Sequence, residues 1–79
     1  MIYRIKLPRL GETMEEGTVT TWHKQVGDVI AKGDLLYCVE TDKASVDVES
    51  FVAGRMQEIC CAAGRTVAVG TTVAVLISD

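Results

Sequence analysis

Residues 40–49 read Glu-Thr-Asp-Lys-Ala-Ser-Val-Asp-Val-Glu and lie on the junction of an internal repeat. When the sequence is shifted by 37 residues, three pairs of glycines coincide: Gly17 with Gly54, Gly27 with Gly64, and Gly33 with Gly70. Apolar residues between these glycines also coincide, as Val19 does with Met56. A repeat of this kind indicates two similarly folded halves related by a pseudo-twofold axis. Lys43 stands between the halves, so we expect it in an exposed turn.

Size and charge limit the possible classes of protein. The chain has 79 residues, of which 48% are hydrophobic, and a formal net charge of −3. This length predicts one small domain, residues 1–79, with a single core. The negative charge argues against a nucleic-acid partner, which normally meets a clustered basic face. No apolar run is long enough to cross a membrane, and we expect no secretory leader. Three cysteines, two of them adjacent, form a poor disulfide framework and suit a reducing compartment.

The local sequence pattern predicts strands along the whole chain. Apolar and polar residues alternate over short stretches, and no segment keeps an apolar i, i+3, i+4 pattern. The predicted strands are residues 2–7, 17–24, 29–30, 35–41, 44–49, 55–62, 67–68 and 72–78. We interpret the repeat glycines as structural, supplying positive φ in tight turns. Eight short strands predict an all-β sandwich or flattened β-barrel of two four-stranded antiparallel sheets.

A search for catalytic groups finds no convincing active site. His23 is the single histidine, and the sequence shows no Asp or Ser arranged with it as a triad. A zinc site needs three or four ligands, and Cys60-Cys61 is not a Cys-x-x-Cys pair. We expect His23 and the cysteines to be ordinary strand residues, with one of Cys60 and Cys61 facing the core. We therefore predict no catalytic residue and no metal, hence a domain that is not an enzyme by itself.

Lys43 is set apart by its position. If strands 35–41 and 44–49 pair as a hairpin, Asp42 and Lys43 form its tip, and the ammonium projects into water. A hydrated ammonium is a poor nucleophile, but a separate enzyme can acylate it and create a flexible, uncharged arm. The alternative interpretation is a plain solubilising charge. The acidic residues that flank it are Glu40, Asp42, Asp47 and Glu49.

Residues 40–44 resemble the lipoylation motif of lipoyl domains in the acyltransferase (E2) component of 2-oxo acid dehydrogenase complexes. Further similar stretches are residues 7–17, 22–28, 33–36 and 52–54, so the resemblance covers essentially the whole chain. The family fold, the barrel-sandwich hybrid, is a flattened barrel of two four-stranded sheets with quasi-twofold symmetry, in agreement with the repeat. The resemblance implies (R)-lipoate in amide linkage to Lys43, with Asp42 and Ala44 recognised by the modifying enzyme.

The resemblance further implies a carrier that serves other enzymes. Its partners would be a thiamin-diphosphate-dependent decarboxylase (E1), an acyltransferase catalytic domain (E2) and a flavin dihydrolipoamide dehydrogenase (E3). A lipoate ligase, or an octanoyltransferase with a lipoyl synthase, would attach the lipoyl group. In the family, the loop after the first strand helps the decarboxylase identify its carrier. The matching acids here, Glu12, Glu15 and Glu16, are candidates for docking, with solvated surface acids as the alternative. The implied compartment is the bacterial cytoplasm, or the mitochondrial matrix in a eukaryote.

Two other functions remain open at this point. Biotinyl carrier domains share the fold, but their modified lysine lies between methionines, whereas Asp42 and Ala44 flank Lys43 here. The same barrel also serves as an unmodified adaptor, which needs no lysine at the junction. Between complexes, residues 11–17 look closer to pyruvate or acetoin dehydrogenase carriers, and residues 22–24 to the 2-oxoglutarate branch. We favour the pyruvate or acetoin side, with either an excised acyltransferase module or a free-standing carrier.

Overall fold

The fold is built from short strands joined by tight turns. The computed structural model describes residues 1–10 and 14–78, and none of these residues is helical. The strands in this part of the chain are β1 (Ile2–Lys6), β2 (Glu16–Trp22), β3 (Val29–Ile30), β4 (Leu35–Glu40), β5 (Ser45–Glu49), β6 (Gly54–Ile59), β7 (Thr66–Ala68) and β8 (Thr72–Ile77). Sheet A has the order β1-β8-β6-β3 and sheet B the order β5-β4-β2-β7, with antiparallel pairing throughout. The predicted all-β architecture of two four-stranded sheets is confirmed.

The 37-residue repeat is visible in the strand pairing. The shift carries β2 onto β6 and β4 onto β8, and so carries the central pairing of sheet B onto that of sheet A. Val19 lies opposite Val39 in sheet B, and the equivalent Met56 lies opposite Leu76 in sheet A. Both ladders change register immediately after this pair, so even the bulge is repeated. The two halves therefore share one backbone arrangement, as the spacing of the glycines predicts.

Side chains between the two sheets form one hydrophobic core. Equivalent positions of the repeat supply it from both halves; buried pairs are Val19 with Met56, Leu36 with Val73, and Val39 with Leu76. Each such aliphatic side chain contributes about 1.5–3 kcal/mol on burial. Because the core is drawn from both sheets, the hairpins at the barrel ends rest on a common rigid support.

Most strand ends agree with the sequence pattern to within one residue, but β2 and β6 stop earlier than predicted. β6 begins at Gly54 and ends at Ile59, not at residue 62. The amides of Cys60 and Cys61 both donate to the carbonyl of Val73, at 2.8 and 3.2 Å. Since one carbonyl receives two successive amides, the chain turns out of the ladder there. β2 likewise ends at Trp22 rather than residue 24.

Gly17 and Gly54 are structural, but for a different reason from the turn glycines. Positive φ occurs at the four turn glycines, between 90° and 95°, and not at these two. A Cβ at Gly54 would lie 2.5 Å from the carbonyl oxygen of Ile77, which is backbone of the neighbouring strand. A Cβ at Gly17 would lie 2.7 Å from a methyl of Val39. These glycines therefore permit close approach inside the sheets.

We predict that Gly54→Ala is the more damaging of two matched substitutions. Its new methyl meets backbone of β8, which can move only if the ladder moves, so we expect a loss of about 1–3 kcal/mol in the free energy of unfolding. Gly17→Ala is the control because its methyl meets the side chains of Val39 and Met14. Urea unfolding of both variants measures the difference, and an equal or smaller loss for Gly54→Ala would contradict the interpretation.

Tyr37 places its hydroxyl in the core without a hydrogen-bond partner among the described residues. The ring packs on Trp22, with centroids 4.9 Å apart. Burial removes the hydroxyl from water and raises the pKa of Tyr37 from 10.0 to about 12, with a smaller contribution from the Cys61 thiol. An unpaired buried hydroxyl costs about 1–3 kcal/mol. The aromatic ring of Tyr37 therefore stabilises the core, whereas its buried hydroxyl does not.

We expect Tyr37→Phe to leave the free energy of unfolding at pH 7 unchanged or about 1 kcal/mol higher, because it removes an unpaired hydroxyl. A tyrosine that holds its proton more tightly when folded stabilises the fold fully below pH 10, and this contribution is lost as the pH rises towards 12. At pH 11 the wild type should therefore have lost about 1.4 kcal/mol relative to the variant. Urea unfolding at both pH values provides the test, and a clear loss of stability in Tyr37→Phe at pH 7 would show that the hydroxyl has a partner.

Candidate functional site

Lys43 lies at the tip of the hairpin formed by β4 and β5. The last paired residues are Glu40 and Ser45, so the ladder stops one residue before the predicted end on each side. The amide of Thr41 then donates to the carbonyl of Ala44 at 2.8 Å, which leaves Asp42 and Lys43 as the two tip residues. Both are exposed. The structure thus places the lysine where the sequence predicts it.

The Lys43 ammonium is free to be modified. Among residues 1–10 and 14–78, it has no hydrogen-bond or ion-pair partner; the described ion pairs are His23–Asp47 and Lys24–Asp34. The side chain therefore loses no interaction when another enzyme acylates it. An exposed tip residue of this kind also adds little to stability. The lysine fits an amide-linked arm without any change in the barrel.

The segment of residues 14–16, which leads into β2, lies beside the lysine hairpin. Glu15 and Glu16 line an open groove together with Glu40 and Asp42 from the hairpin and Thr66 of β7. Four carboxylates thus border one face next to the lysine. The structure brings together two of the three predicted docking residues, Glu15 and Glu16. The third, Glu12, lies outside the described residues.

Met14 is part of the buried core just before β2 and was not singled out by the sequence. It is 9% exposed, and its sulfur accepts a hydrogen bond from the amide of Leu10 at 3.2 Å. Its methyl also approaches Gly17, where an added Cβ would lie 3.0 Å away. One apolar residue among acidic neighbours is the signal that could have identified it. Met14 anchors the segment that carries Glu15 and Glu16.

The acidic residues flanking Lys43 in the sequence are separated by the fold. Glu40 and Asp42 border the groove, whereas Asp47 contacts His23 across the sheet, with 3.0 Å between Oδ1 and Nε2. This pair corrects two expectations for His23, which lies one residue beyond β2 and does have an aspartate beside it. The separation runs along the strands, because Glu40 is paired with Ser45 at the tip end of the ladder, whereas Asp47 lies opposite Cys38, farther from the tip.

The remaining reactive side chains are unfavourable for catalysis. Cys61 is buried and Cys60 exposed, as predicted for that segment, although both follow β6 rather than lying in it. Desolvation raises the pKa of the Cys60 thiol, and the Glu58 carboxylate raises it further. Desolvation also raises the pKa of Cys61 against the opposing effect of Arg65. Protonated thiols are poor nucleophiles. Within the described residues, no group of three His, Cys, Asp or Glu side chains is placed to hold a metal ion.

The described part of the chain also contains no helix with the length and hydropathy needed to cross a bilayer. What the fold offers is a rigid barrel with one unpaired lysine on a hairpin tip. Together these features define a class of protein, the small carrier domain that other enzymes modify.

Comparison with known proteins identifies the family within this class. The family described as "Biotin-requiring enzyme", which comprises biotin- and lipoyl-bearing domains, matches residues 3–76. The chain therefore belongs to the biotin/lipoyl domain family.

Individual relatives and a solved structure are components of 2-oxo acid dehydrogenase complexes. The chain is 46% identical over 72 residues to the dihydrolipoyllysine-residue succinyltransferase component of the 2-oxoglutarate dehydrogenase complex of Staphylococcus saprophyticus, covering 91% of this chain and 17% of the relative. It is 42% identical over 80 residues to the pyruvate dehydrogenase E1 component subunit beta of Rhizobium meliloti, covering all of this chain and 17% of that protein. The solution structure of the lipoyl domain of the Azotobacter vinelandii 2-oxoglutarate dehydrogenase complex superposes with a TM-score of 0.79 and 35% identity, covering 95% of each chain.

These similarities confirm the resemblance to lipoyl domains found in the sequence. The chain spans about one sixth of the length of the relatives that it matches. They belong to both the 2-oxoglutarate and the pyruvate complexes, and one is a subunit of a dehydrogenase component rather than an acyltransferase. The similarity therefore identifies the domain and leaves the complex undetermined.

Proposed function

We propose that Lys43 carries lipoate in amide linkage and that residues 1–79 form a single, non-catalytic carrier domain of a 2-oxo acid dehydrogenase complex. The observation that supports this most directly is the Lys43 ammonium, exposed and without a partner among the described residues, on the tip of a hairpin. The flanking Asp42 and Ala44 are the residues that the modifying enzyme would read. Their exposure at the same tip is consistent with that role.

Attachment requires an activated carboxylic acid, which a lipoate ligase makes from lipoate and ATP as the adenylate. After its ammonium loses a proton to a base of the ligase or to water, the neutral Nζ of Lys43 would attack the carbonyl carbon of this adenylate. The resulting amide nitrogen would lose a second proton in the same way. The new C–N bond forms as the C–O bond to the phosphate breaks, and AMP leaves. Octanoyltransferase followed by lipoyl synthase is the alternative route to the same amide. The domain contributes only the presentation of Nζ, so catalysis belongs to the modifying enzyme.

The attached group supplies a dithiolane that accepts an acyl group and two electrons. The hairpin ends in two exposed residues, Asp42 and Lys43, so the attachment point of the lipoyl group lies away from the barrel surface. Tethering raises the effective concentration of the arm at each partner active site. We propose as partners the thiamin-diphosphate-dependent decarboxylase, the acyltransferase and the flavin dihydrolipoamide dehydrogenase, which contribute the catalytic chemistry.

The groove beside the hairpin is our proposed docking face for the decarboxylase. Glu15 and Glu16 border it with Glu40 and Asp42, so the surface around the lysine is negative. A partner with a basic rim around its active-site entrance would be attracted and oriented by this charge. Glu12 belongs to this proposal by its sequence position. The complex we favour is of the pyruvate or acetoin type, in the bacterial cytoplasm or the mitochondrial matrix.

We predict one lipoyl group per wild-type domain and none on Lys43→Arg. The domain is incubated with lipoate, ATP and a lipoate ligase, and intact mass spectrometry counts the attached groups. The arginine variant keeps the charge but its guanidinium is not acylated, and its melting temperature should match the wild type because the tip adds little stability.

Biotin with a biotin ligase is the control for the alternative cofactor. Biotin on Lys43 with no lipoyl group would overturn the proposal in favour of a biotinyl carrier. A folded wild-type domain that accepts neither group would favour an unmodified adaptor.

We predict that Glu15→Lys lowers kcat/KM for reductive acylation by a decarboxylase about fivefold while leaving lipoylation complete. Charge reversal at the edge of an interface mainly slows association. The matched control is Glu58→Lys, an exposed acid on sheet A that makes the same change in net charge. The decarboxylases of pyruvate and 2-oxoglutarate dehydrogenase complexes are compared, which also identifies the favoured complex.

An equal loss in both variants would indicate a general effect of net charge. No loss in Glu15→Lys would show that this residue is a solvated surface acid. Either result would contradict docking through Glu15.

A further inference from the structure

We propose that Thr41 is a positioning residue, whose hydroxyl fixes the backbone that presents Lys43 to the modifying enzyme. This inference rests on the proposed lipoylation of Lys43. Thr41 is half-buried and precedes the exposed tip residues. Asp42 and Ala44 would be read directly by the modifying enzyme, whereas Thr41 would act by holding the backbone of the tip in shape.

Three hydrogen bonds involve the Thr41 hydroxyl. Its oxygen accepts from the amide of Lys43 at 3.2 Å and from the amide of Ala44 at 3.1 Å. The hydroxyl donates to the carbonyl of Ala44 at 3.1 Å, which also receives the Thr41 amide at 2.8 Å. Both residues that follow the tip aspartate are therefore bonded to a single side-chain group. The backbone at Lys43 is therefore held by the Thr41 hydroxyl.

The shape of the tip explains why a side chain is needed. In a standard β-turn the amide of the fourth residue donates to the carbonyl of the first. Here the amide of the fourth residue, Ala44, donates to the Thr41 hydroxyl. The turns best matched to hairpins have positive φ at their central residues and favour Asn and Gly. No non-glycine residue in the described chain has positive φ, so Asp42 and Lys43 do not form such a turn.

The other side chains of the tip do not share this role. Among the described residues, the side chains of Asp42 and Lys43 make no hydrogen bond, and that of Ala44 is a methyl group. A tip without the hydroxyl would sample more backbone conformations and would lose that freedom when an enzyme bound it. The β-branched Thr41 restricts its own χ1 as well, so the hydroxyl is aimed before binding.

The test compares rates of modification with stability in matched variants. Thr41→Val keeps the shape and removes the hydroxyl, Thr41→Ala removes it without the extra methyl, and Thr41→Ser retains it. Thr20→Val is the control, because Thr20 is an exposed threonine of sheet B whose hydroxyl donates to the Cys38 carbonyl at 3.3 Å, away from the turn. Lipoate, ATP and a lipoate ligase are used, with intact mass as the assay for kcat/KM. Melting temperature and amide exchange at Lys43 and Ala44 are recorded for each domain.

We expect Thr41→Val and Thr41→Ala to lower kcat/KM for lipoylation roughly tenfold, about 1.4 kcal/mol, with faster exchange at the two amides. Thr41→Ser should remain within about threefold of the wild type, and Thr20→Val should be modified at the wild-type rate. Rescue by serine would show that the hydroxyl, and not side-chain volume, is responsible.

Wild-type rates in Thr41→Val and Thr41→Ala would overturn the role of Thr41 while leaving the carrier function intact. An equal loss in Thr20→Val would overturn it too, because general destabilisation would then explain the effect. A wild-type domain that accepts no lipoyl group, with the same ligase active on a known lipoyl domain, would instead overturn the proposed function itself.

Discussion

The antiparallel pairing of β2 with β4, repeated as β6 with β8, is the constraint on which the rest of the structure depends. These strands occupy the centres of the two sheets and provide the buried side chains that meet between them. The remaining strands add to their edges. Within the described sheets, β5 is an edge strand that pairs with β4, so the hairpin that bears Lys43 is an extension of a central strand. The backbone of the lysine turn is therefore positioned by a strand that also contributes to the core, while the lysine side chain is exposed to water.

The two halves of the repeat share one backbone arrangement, and they differ in the side chains that this backbone carries. In sheet B, the row of cross-strand neighbours nearest the lysine turn is Ser45, Glu40, Thr18 and Thr66. The equivalent row in sheet A is Ile2, Ile77, Arg55 and Val29. One end of the barrel is thus polar and acidic, and its equivalent is largely apolar, although the backbones match. Because the same backbone carries both surfaces, it is side-chain chemistry that makes one end suitable for a modifying enzyme and a partner.

Features that depend on neighbouring residues could be predicted from the sequence, and features that depend on distant residues could not. Alternation, glycine spacing and the repeat gave the strands, the two sheets and the exposed Lys43. The pairing of His23 with Asp47 joins two residues 24 positions apart, one just after β2 and the other on β5, and no local pattern indicates it. The groove has the same origin, because Glu15 and Glu40 line one surface only when β2 pairs with β4. Gly54 could be predicted in part. The repeat indicates that this glycine is structural, but only the close approach of the β8 backbone explains why a side chain is excluded there.

The chemistry required at the tip restricts how the hairpin can turn. A tight hairpin is most easily closed by Asn-Gly, whose positive φ values match the twist of the strands. A carrier needs a lysine at that place, and lysine disfavours positive φ because of its Cβ. Asp42 and Lys43 accordingly keep negative φ, and the hydroxyl of Thr41 satisfies the amides on the far side of the tip. The tip thus departs from the favoured hairpin turn at the residue that we propose is modified, and the compensating hydrogen bonds come from the side chain of Thr41, two positions before Lys43.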